Sequence, residues 1–234
     1  MFYLISSLID RFRGKKSWSH LSEDRISKWI LEQFGVKRPK YIDIGGNDPR
    51  KNNNTYLFYL MGGCGIVVEP NPEFKNAYSK YRPMDYFYNY GISPTEYQEY
   101  VEYYIFKKNE FNTCDLETAK NISRKLATPY KTKRIYLKPI SGIIDTFRKK
   151  YGYLDFISID TEGDDLAIIK SLDLSRNSFR PKIICAEVIK YGQHVFERDD
   201  PIEDYLTTKD YICVANTRLN KIFVDLLLNE EGYV

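Results

Sequence analysis

Acidic side chains recur where apolar runs end. Asp43 sits in Tyr41-Ile42-Asp43-Ile44, Glu69 follows Gly65-Ile66-Val67-Val68, Asp160 and Glu162 follow Phe156-Ile157-Ser158-Ile159, and Glu187 closes a run from Lys182. A carboxylate at the rim of a buried strand is costly to desolvate unless hydrogen bonds, cations or a ligand compensate it. Five acids on one rim therefore mark the place to look for chemistry: binding of hydroxyl groups, acceptance of a proton, or ligation of a hard cation.

The first two runs belong together. Ile44 leads into Gly45-Gly46-Asn47-Asp48, where an apolar strand breaks into small residues suited to a ligand loop, and Glu69 stands 26 residues after Asp43. That is near the spacing at which a Rossmann-like βαβ unit presents an acid to a ribose, so the pair points to a nucleotide-type cofactor. An acid at the ribose repels a 2′-phosphate and disfavours NADP, whereas NAD would be met equally well. Asn47-Asp48-Pro49 stands in place of the later glycines of a G-x-G-x-x-G loop, which admit a pyrophosphate against a helix N-terminus. The competing reading makes Gly45 and Gly46 a tight turn and Glu69 a surface charge.

In Ile159-Asp160-Thr161-Glu162-Gly163-Asp164-Asp165, a period of two puts Asp160 and Glu162 on one side as the strand exits; Gly163 permits a sharp turn, and Asp164 or Asp165 can cap the next helix. Asp160, Glu162 or Glu187 can accept a proton directly or through His194, which follows the fifth strand in a loop expected to overhang the rim. Alternatively Asp160 pins the loop backbone and His194 is an ordinary surface residue. The same three acids offer oxygen ligands to Mg²⁺, a possible but unfavoured reading because nothing in their spacing sets a geometry. Only His20 and His194 are present, too few for a histidine-based zinc site.

These residues need a scaffold. Strands are expected at Tyr41–Ile44, Gly65–Glu69, Tyr86–Ile92, Leu154–Asp160 and Lys182–Val188, separated by helix-length segments, which implies an α/β fold with a mainly parallel sheet. Ser22, Asp24 and the spaced Ile26, Trp29, Ile30 and Phe34 predict a capped amphipathic helix ahead of the sheet, ending at Gly35. Residues 94–139 break the rhythm with the Tyr-rich run Tyr97–Phe106 and a short run Arg134–Leu137, read as an extra strand or hairpin plus a helix inserted over the site. Its tyrosines, with Lys107, Lys108, Lys131, Lys133 and Arg134, offer either a sugar-binding surface or a charged edge strand. After Pro201 a short helix precedes Tyr211–Ala215 and Lys221–Leu226, a final antiparallel hairpin. The expected organisation is an N-terminal helical segment, 1–37, and one domain, 38–234, carrying the insertion.

Composition narrows the partners. Thirty-five basic against 32 acidic residues leave a net charge of +3, with no nucleic-acid footprint, and 43% hydrophobic residues suffice for one core. The four cysteines are scattered without a C-x-x-C pair, which suits a reducing cytoplasm. The opening segment is too short to span a bilayer and lacks the features of a cleavable signal. Its stripe of Phe2, Ile5, Ile9 and Phe12, followed by Arg11, Arg13, Lys15 and Lys16, can rest on an anionic membrane face or pack on protein. The oligomeric state stays open.

The whole pattern resembles a known family. Tyr41-Ile42-Asp43-Ile44-Gly45-Gly46-Asn47-Asp48, then Asn54-Thr55, Val68-Glu69-Pro70-Asn71-Pro72, Ile157-Ser158-Ile159-Asp160-Thr161-Glu162-Gly163 and Ile169-Lys170-Ser171-Leu172 look like the FkbM-type S-adenosylmethionine-dependent methyltransferases. Asn220-Lys221-Ile222-Phe223-Val224 is similar to that family's closing strand. The resemblance, over roughly residues 38–226, implies a Rossmann-like class I methyltransferase fold, a seven-stranded sheet ordered 3-2-1-4-5-7-6, and O-methylation of a sugar, glycoconjugate precursor or other small hydroxylated metabolite. S-adenosylmethionine carries no phosphate and so suits the loop at Asn47. By the resemblance and the spacing, the cofactor residues are Asp43, Gly45, Gly46, Asn47, Asn54, Thr55, Glu69, Pro70, Asn71 and Asp160. Gly45 and Gly46 are expected to aim N–H groups at the cofactor, and Glu69 to accept both ribose hydroxyls. An NAD-dependent oxidoreductase and a non-catalytic cofactor-binding module are the competing classes.

Overall fold

The computed structural model describes residues 16–95, 99–161, 163–188 and 200–229. Expectations placed on Glu162, on His194 and on the stripe of Phe2, Ile5, Ile9 and Phe12 lie outside the described residues.

Continuous apolar runs become strands buried on both faces, as parallel sheets require. β1 (Lys40–Ile44), β2 (Cys64–Val68), β7 (Leu154–Ile159) and β8 (Pro181–Glu187) form the centre of a seven-stranded sheet, and every residue of β7 is buried. The sheet is completed by β3 (Tyr86–Tyr88) on one edge and by β9 (Tyr211–Asn216) and β10 (Asn220–Asp225) on the other. Its order is β3-β2-β1-β7-β8-β10-β9, with β10 antiparallel to both its neighbours. Numbered within this sheet alone, that is 3-2-1-4-5-7-6, the class I methyltransferase order with its C-terminal antiparallel hairpin.

Period two divides the strands between two cores. Ile42, Ile44, Ile157, Ile159 and Ile184 pack against α5 (Ile140–Tyr151), α6 (Asp165–Ser171) and α7 (Pro201–Thr207). Tyr41, Phe156, Ile183 and Cys185 face α1 (Glu23–Gln33) and α2 (Tyr56–Leu60). Each isoleucine buried here contributes about 1.5–3 kcal/mol through removal from water. At the amino ends of the strands, buried Asp155 accepts the N–H of Lys40 at 2.8 Å and Lys182 Nζ at 2.6 Å, so that acid is structural.

α1 departs from its expected start. Ser22 adopts φ 71° and its side chain makes no capping bond. Asp24 does the local work instead, accepting from Trp18 N at 2.8 Å and Ser17 Oγ at 2.7 Å.

The expected strand Tyr86–Ile92 is two strands in different sheets. β3 ends at Tyr88, and Asn89 turns its Nδ2 to the carbonyls of Glu69 and Pro70 at 2.8 and 3.0 Å, which interrupts the strand. β4 (Gly91–Ser93) then joins a second sheet ordered β4-β6-β5, with β5 (Tyr100–Phe106) and β6 (Tyr130–Pro139), the latter longer than the expected Arg134–Leu137. α4 (Leu116–Leu126) covers one face of this sheet, with Ala119 and Ile122 against Tyr104 and Phe106. β6 runs directly into α5, so the insertion is anchored to the main body at both ends.

Candidate functional site

A cavity of about 750 Å³ lies at the carboxyl ends of the central strands. Gly45, Asn47, Glu69, Pro70, Asp160 and Thr161 line it from β1, β2 and β7. Glu187 and Asn220 line it from β8 and β10, and Val101, Tyr103, Ile135 and Leu137 of the second sheet supply an apolar wall.

Glu69 is the most constrained acid here. It is 4% exposed and accepts the N–H of Asn71 at 2.6 Å on Oε1 and the N–H of Asn47 at 2.8 Å on Oε2. Burial pushes its carboxyl up to about 7, although the Asn71 and Asn47 donors pull the other way. A carboxylate has about four acceptor positions, so two remain for donors arriving in the cavity.

The glycines act differently from expectation. Gly45 N–H and Gly46 N–H both donate to Val68 O, at 2.9 and 3.3 Å, so neither is directed at a ligand. They are needed for close approach: a Cβ on Gly46 would lie 2.4 Å from Val67 Cγ1 and 2.6 Å from the Tyr78 hydroxyl. Asn47 takes φ 45°, a left-handed conformation open to Asn, and this turns its N–H toward Glu69.

Asp43 points away from the cavity. Its parity is that of Tyr41, so it reaches a buried network centred on Arg82, which is 1% exposed. Arg82 donates from Nε to Asp85 at 2.7 Å, from Nη1 to Asn53 at 3.0 Å and from Nη2 to Thr55 at 2.9 Å, and its Nη1 lies 3.9 Å from Asp43. Thr55 Oγ1 donates to Asp43 at 2.6 Å, while Asn53 Nδ2 and the Tyr78 hydroxyl donate to Gly46 O at 2.9 and 2.7 Å. The network thus fixes the loop from beneath. Thr55 belongs to it; Asn54 donates to Ser158 Oγ at 3.1 Å on the α2 face, and Asn71 Oδ1 accepts from Glu73 N at 3.1 Å. None of these three lines the cavity. Arg82 follows a helix and precedes Pro83, and no spacing in the sequence marks it as the centre of the network.

Asp160 lines the cavity while its N–H donates to Ile44 O at 3.0 Å. The loop after it is pinned by Asp165, which accepts Thr161 N–H at 2.9 Å and Gly163 N–H at 3.2 Å; Asp164 makes no capping bond and lines the cavity. Asp160 and Glu187 therefore meet in one cavity as the strand-end pattern predicts. Cys114 also lines it, but burial, with smaller contributions from Asp164 and Glu69, pushes its thiol up to about 12 and leaves it a poor nucleophile at neutral pH. Among the described residues no three His, Cys, Asp or Glu side chains are grouped to hold a metal, and no helix is long and apolar enough to cross a membrane.

The chain has counterparts among known proteins. Residues 43–213 match the methyltransferase FkbM domain. No curated protein matches the chain. Among solved structures it is similar to an O-methyltransferase from Bacillus cereus in complex with SAH, with 12% identity over 95% of this chain and 87% of that one at a TM-score of 0.40. It is also similar to the 1,6-didemethyltoxoflavin-N1-methyltransferase of Burkholderia thailandensis, with 11% identity over 95% of this chain and 84% of that one at a TM-score of 0.41. The fold assignment rests on the strand order and not on these distant likenesses.

Proposed function

The chain belongs to the FkbM family of methyltransferases, and we propose that it methylates a hydroxyl group of a sugar, glycoconjugate precursor or other small polyhydroxylated acceptor, using S-adenosylmethionine. The observation that carries the cofactor assignment is Glu69, a buried carboxylate at the end of β2 whose two oxygens each hold one backbone donor and face a cavity. Two hydroxyls of a ribose are suited to complete it. The tight contact between Gly45 and the Asp160 backbone brings two strand ends together beside it, and Pro70, Tyr90 and Ile92 add apolar surface to the cavity.

Bound there, S-adenosylmethionine supplies an electrophilic methyl group on sulfur. The chain's contribution would be alignment: rigid strand ends would hold the acceptor hydroxyl beside that group, a form of catalysis that removes translational and rotational freedom before the reaction. Asp160 and Glu187, which both line the cavity, orient that hydroxyl and take up its proton in this reading. An apolar wall of Val101, Ile135 and Leu137 limits competition from water.

Topology weighs against a nicotinamide enzyme, because β10 runs antiparallel between β8 and β9 where a dinucleotide-binding sheet continues as 3-2-1-4-5-6. Calorimetric titration with S-adenosylmethionine and S-adenosylhomocysteine tests the assignment. Binding of both, and its weakening in Glu69→Gln, is expected; no heat from either at high micromolar concentration removes it. Binding without turnover on any hydroxylated acceptor would favour a non-catalytic module.

A further inference from the structure

Asn220 opens β10 and lies directly across from Glu187 of β8 in the antiparallel register. Both line the cavity on the side formed by the C-terminal hairpin. Asn220 is 4% exposed, and its Nδ2 donates to Glu23 Oε1 at 3.2 Å. Its Oδ1 is buried and has no hydrogen-bond partner among the described residues. Such an atom in a native fold calls for an explanation, because a buried acceptor left unpaired is destabilising.

The orientation of the amide is set by chemistry. Glu23 is itself buried and also accepts from Thr217 Oγ1 at 2.6 Å and from Leu21 N at 2.8 Å. A carboxylate in that setting can only be met by the NH₂ end of the Asn220 amide, so the carbonyl end is left for another donor. Directly opposed residues on one face of an antiparallel pair have Cβ atoms about 4.5–5.5 Å apart. Side chains that spring from such a pair start close enough together for each to reach one of two hydroxyls on neighbouring carbons of a ring.

We propose that Asn220 Oδ1, oriented by Glu23, is an acceptor-recognition group that accepts a hydrogen bond from one hydroxyl of a vicinal diol while Glu187 engages its neighbour. This rests on the methyltransferase reading above and deepens it: the acceptor carries adjacent hydroxyls, and one of them is bound rather than methylated.

Saturation-transfer NMR on the full chain loaded with S-adenosylhomocysteine tests it. The probes are methyl glycosides of glucose, mannose, galactose, rhamnose and fucose, with single-deoxy analogues of whichever binds. Wild-type protein should contact at least one glycoside, and removal of either of two adjacent hydroxyls should weaken binding about tenfold, the cost of one hydrogen bond. Asn220→Ala should weaken the parent glycoside about tenfold yet leave one deoxy analogue unaffected, and the affinity for S-adenosylhomocysteine should stay within about twofold. Val214→Ala, an exposed change on β9 of the same hairpin that touches neither the amide nor Glu23, should leave glycoside binding within about twofold. The proposal is overturned if the loaded wild type contacts no glycoside, if Asn220→Ala weakens parent and deoxy analogues alike, or if Val214→Ala matches Asn220→Ala. Failure to bind S-adenosylhomocysteine at all, read in the same samples, would instead sink the cofactor assignment and this inference with it.

Discussion

The carbonyl oxygen of Asp160 occupies the space that a side chain on Gly45 would need, 1.8 Å from where a Cβ would sit. Gly45 also holds φ +81°, so a substitution meets both a backbone clash and a left-handed conformation. Gly45→Ala is expected to separate β1 from β7 at the rim, abolish binding of S-adenosylhomocysteine and destabilise the fold by more than about 2 kcal/mol. Calorimetry and urea unfolding measure both; retained affinity would show that the contact is dispensable.

Glu69 is expected to make cofactor affinity depend on pH. Its folded-state pKa is raised to about 7, so the free protein holds a proton there that the unfolded chain releases near the ordinary glutamate value of 4.5. The stability this adds is present below pH 4.5 and lost as pH rises through about 7. A ligand that donates hydroxyls to the ionised form reverses the preference. Affinity should therefore increase from pH 6 to pH 8 and then level off, with proton release on binding below pH 7. In Glu69→Gln the pH dependence should vanish and affinity fall by about 10- to 100-fold, the worth of hydrogen bonds to a charged group. Titrations in buffers of different ionisation enthalpy report both.

Arg82 stands between Asp43 and Asp85, all three buried. Burial raises both carboxyls above their ordinary values, and the guanidinium counters it. Arg82→Met leaves two unpaired acids in the interior and should cost about 3–5 kcal/mol. The loss should grow as pH rises above the unfolded carboxylate range, because the stranded acids then bind protons more tightly folded than unfolded. Chemical denaturation at pH 5 and pH 8 checks the sign.

Asp165 ties the loop that carries Asp160. Asp165→Ala frees the N–H groups of Thr161 and Gly163 and should cost about 1–3 kcal/mol. Hydrogen exchange should accelerate at Thr161 and Gly163 with little change in the centre of β7. Uniform acceleration across β7 would show that the bonds hold the sheet and not the loop.

Much of the rim was readable because buried parallel strands are written as apolar runs, and Glu69, Asp160 and Glu187 close such runs beside the cavity. Parity was readable too: Asp43 alternates with Ile42 and Ile44, which places it with Tyr41 on the far side of the sheet and removes it from the cavity. Other features depend on long-range contacts that spacing cannot express. Asn89 interrupts what is otherwise a convincing strand because the carbonyls of Glu69 and Pro70 are within its reach. Arg82 gathers Asn53, Thr55 and Asp85 only once α2, α3 (Lys75–Tyr81) and β3 have come together. Asn220 reads in the sequence as part of a closing strand; its amide is held by Glu23, 197 residues earlier in the chain.

The second sheet joins the body where β3 gives way to β4 and where β6 enters α5. It supplies Val101, Tyr103, Ile135 and Leu137 to the cavity but none of the groups that hold Glu69 in place. On the proposed reading, exchanging side chains on those two strands should alter acceptor preference while leaving the backbone donors that hold Glu69 untouched.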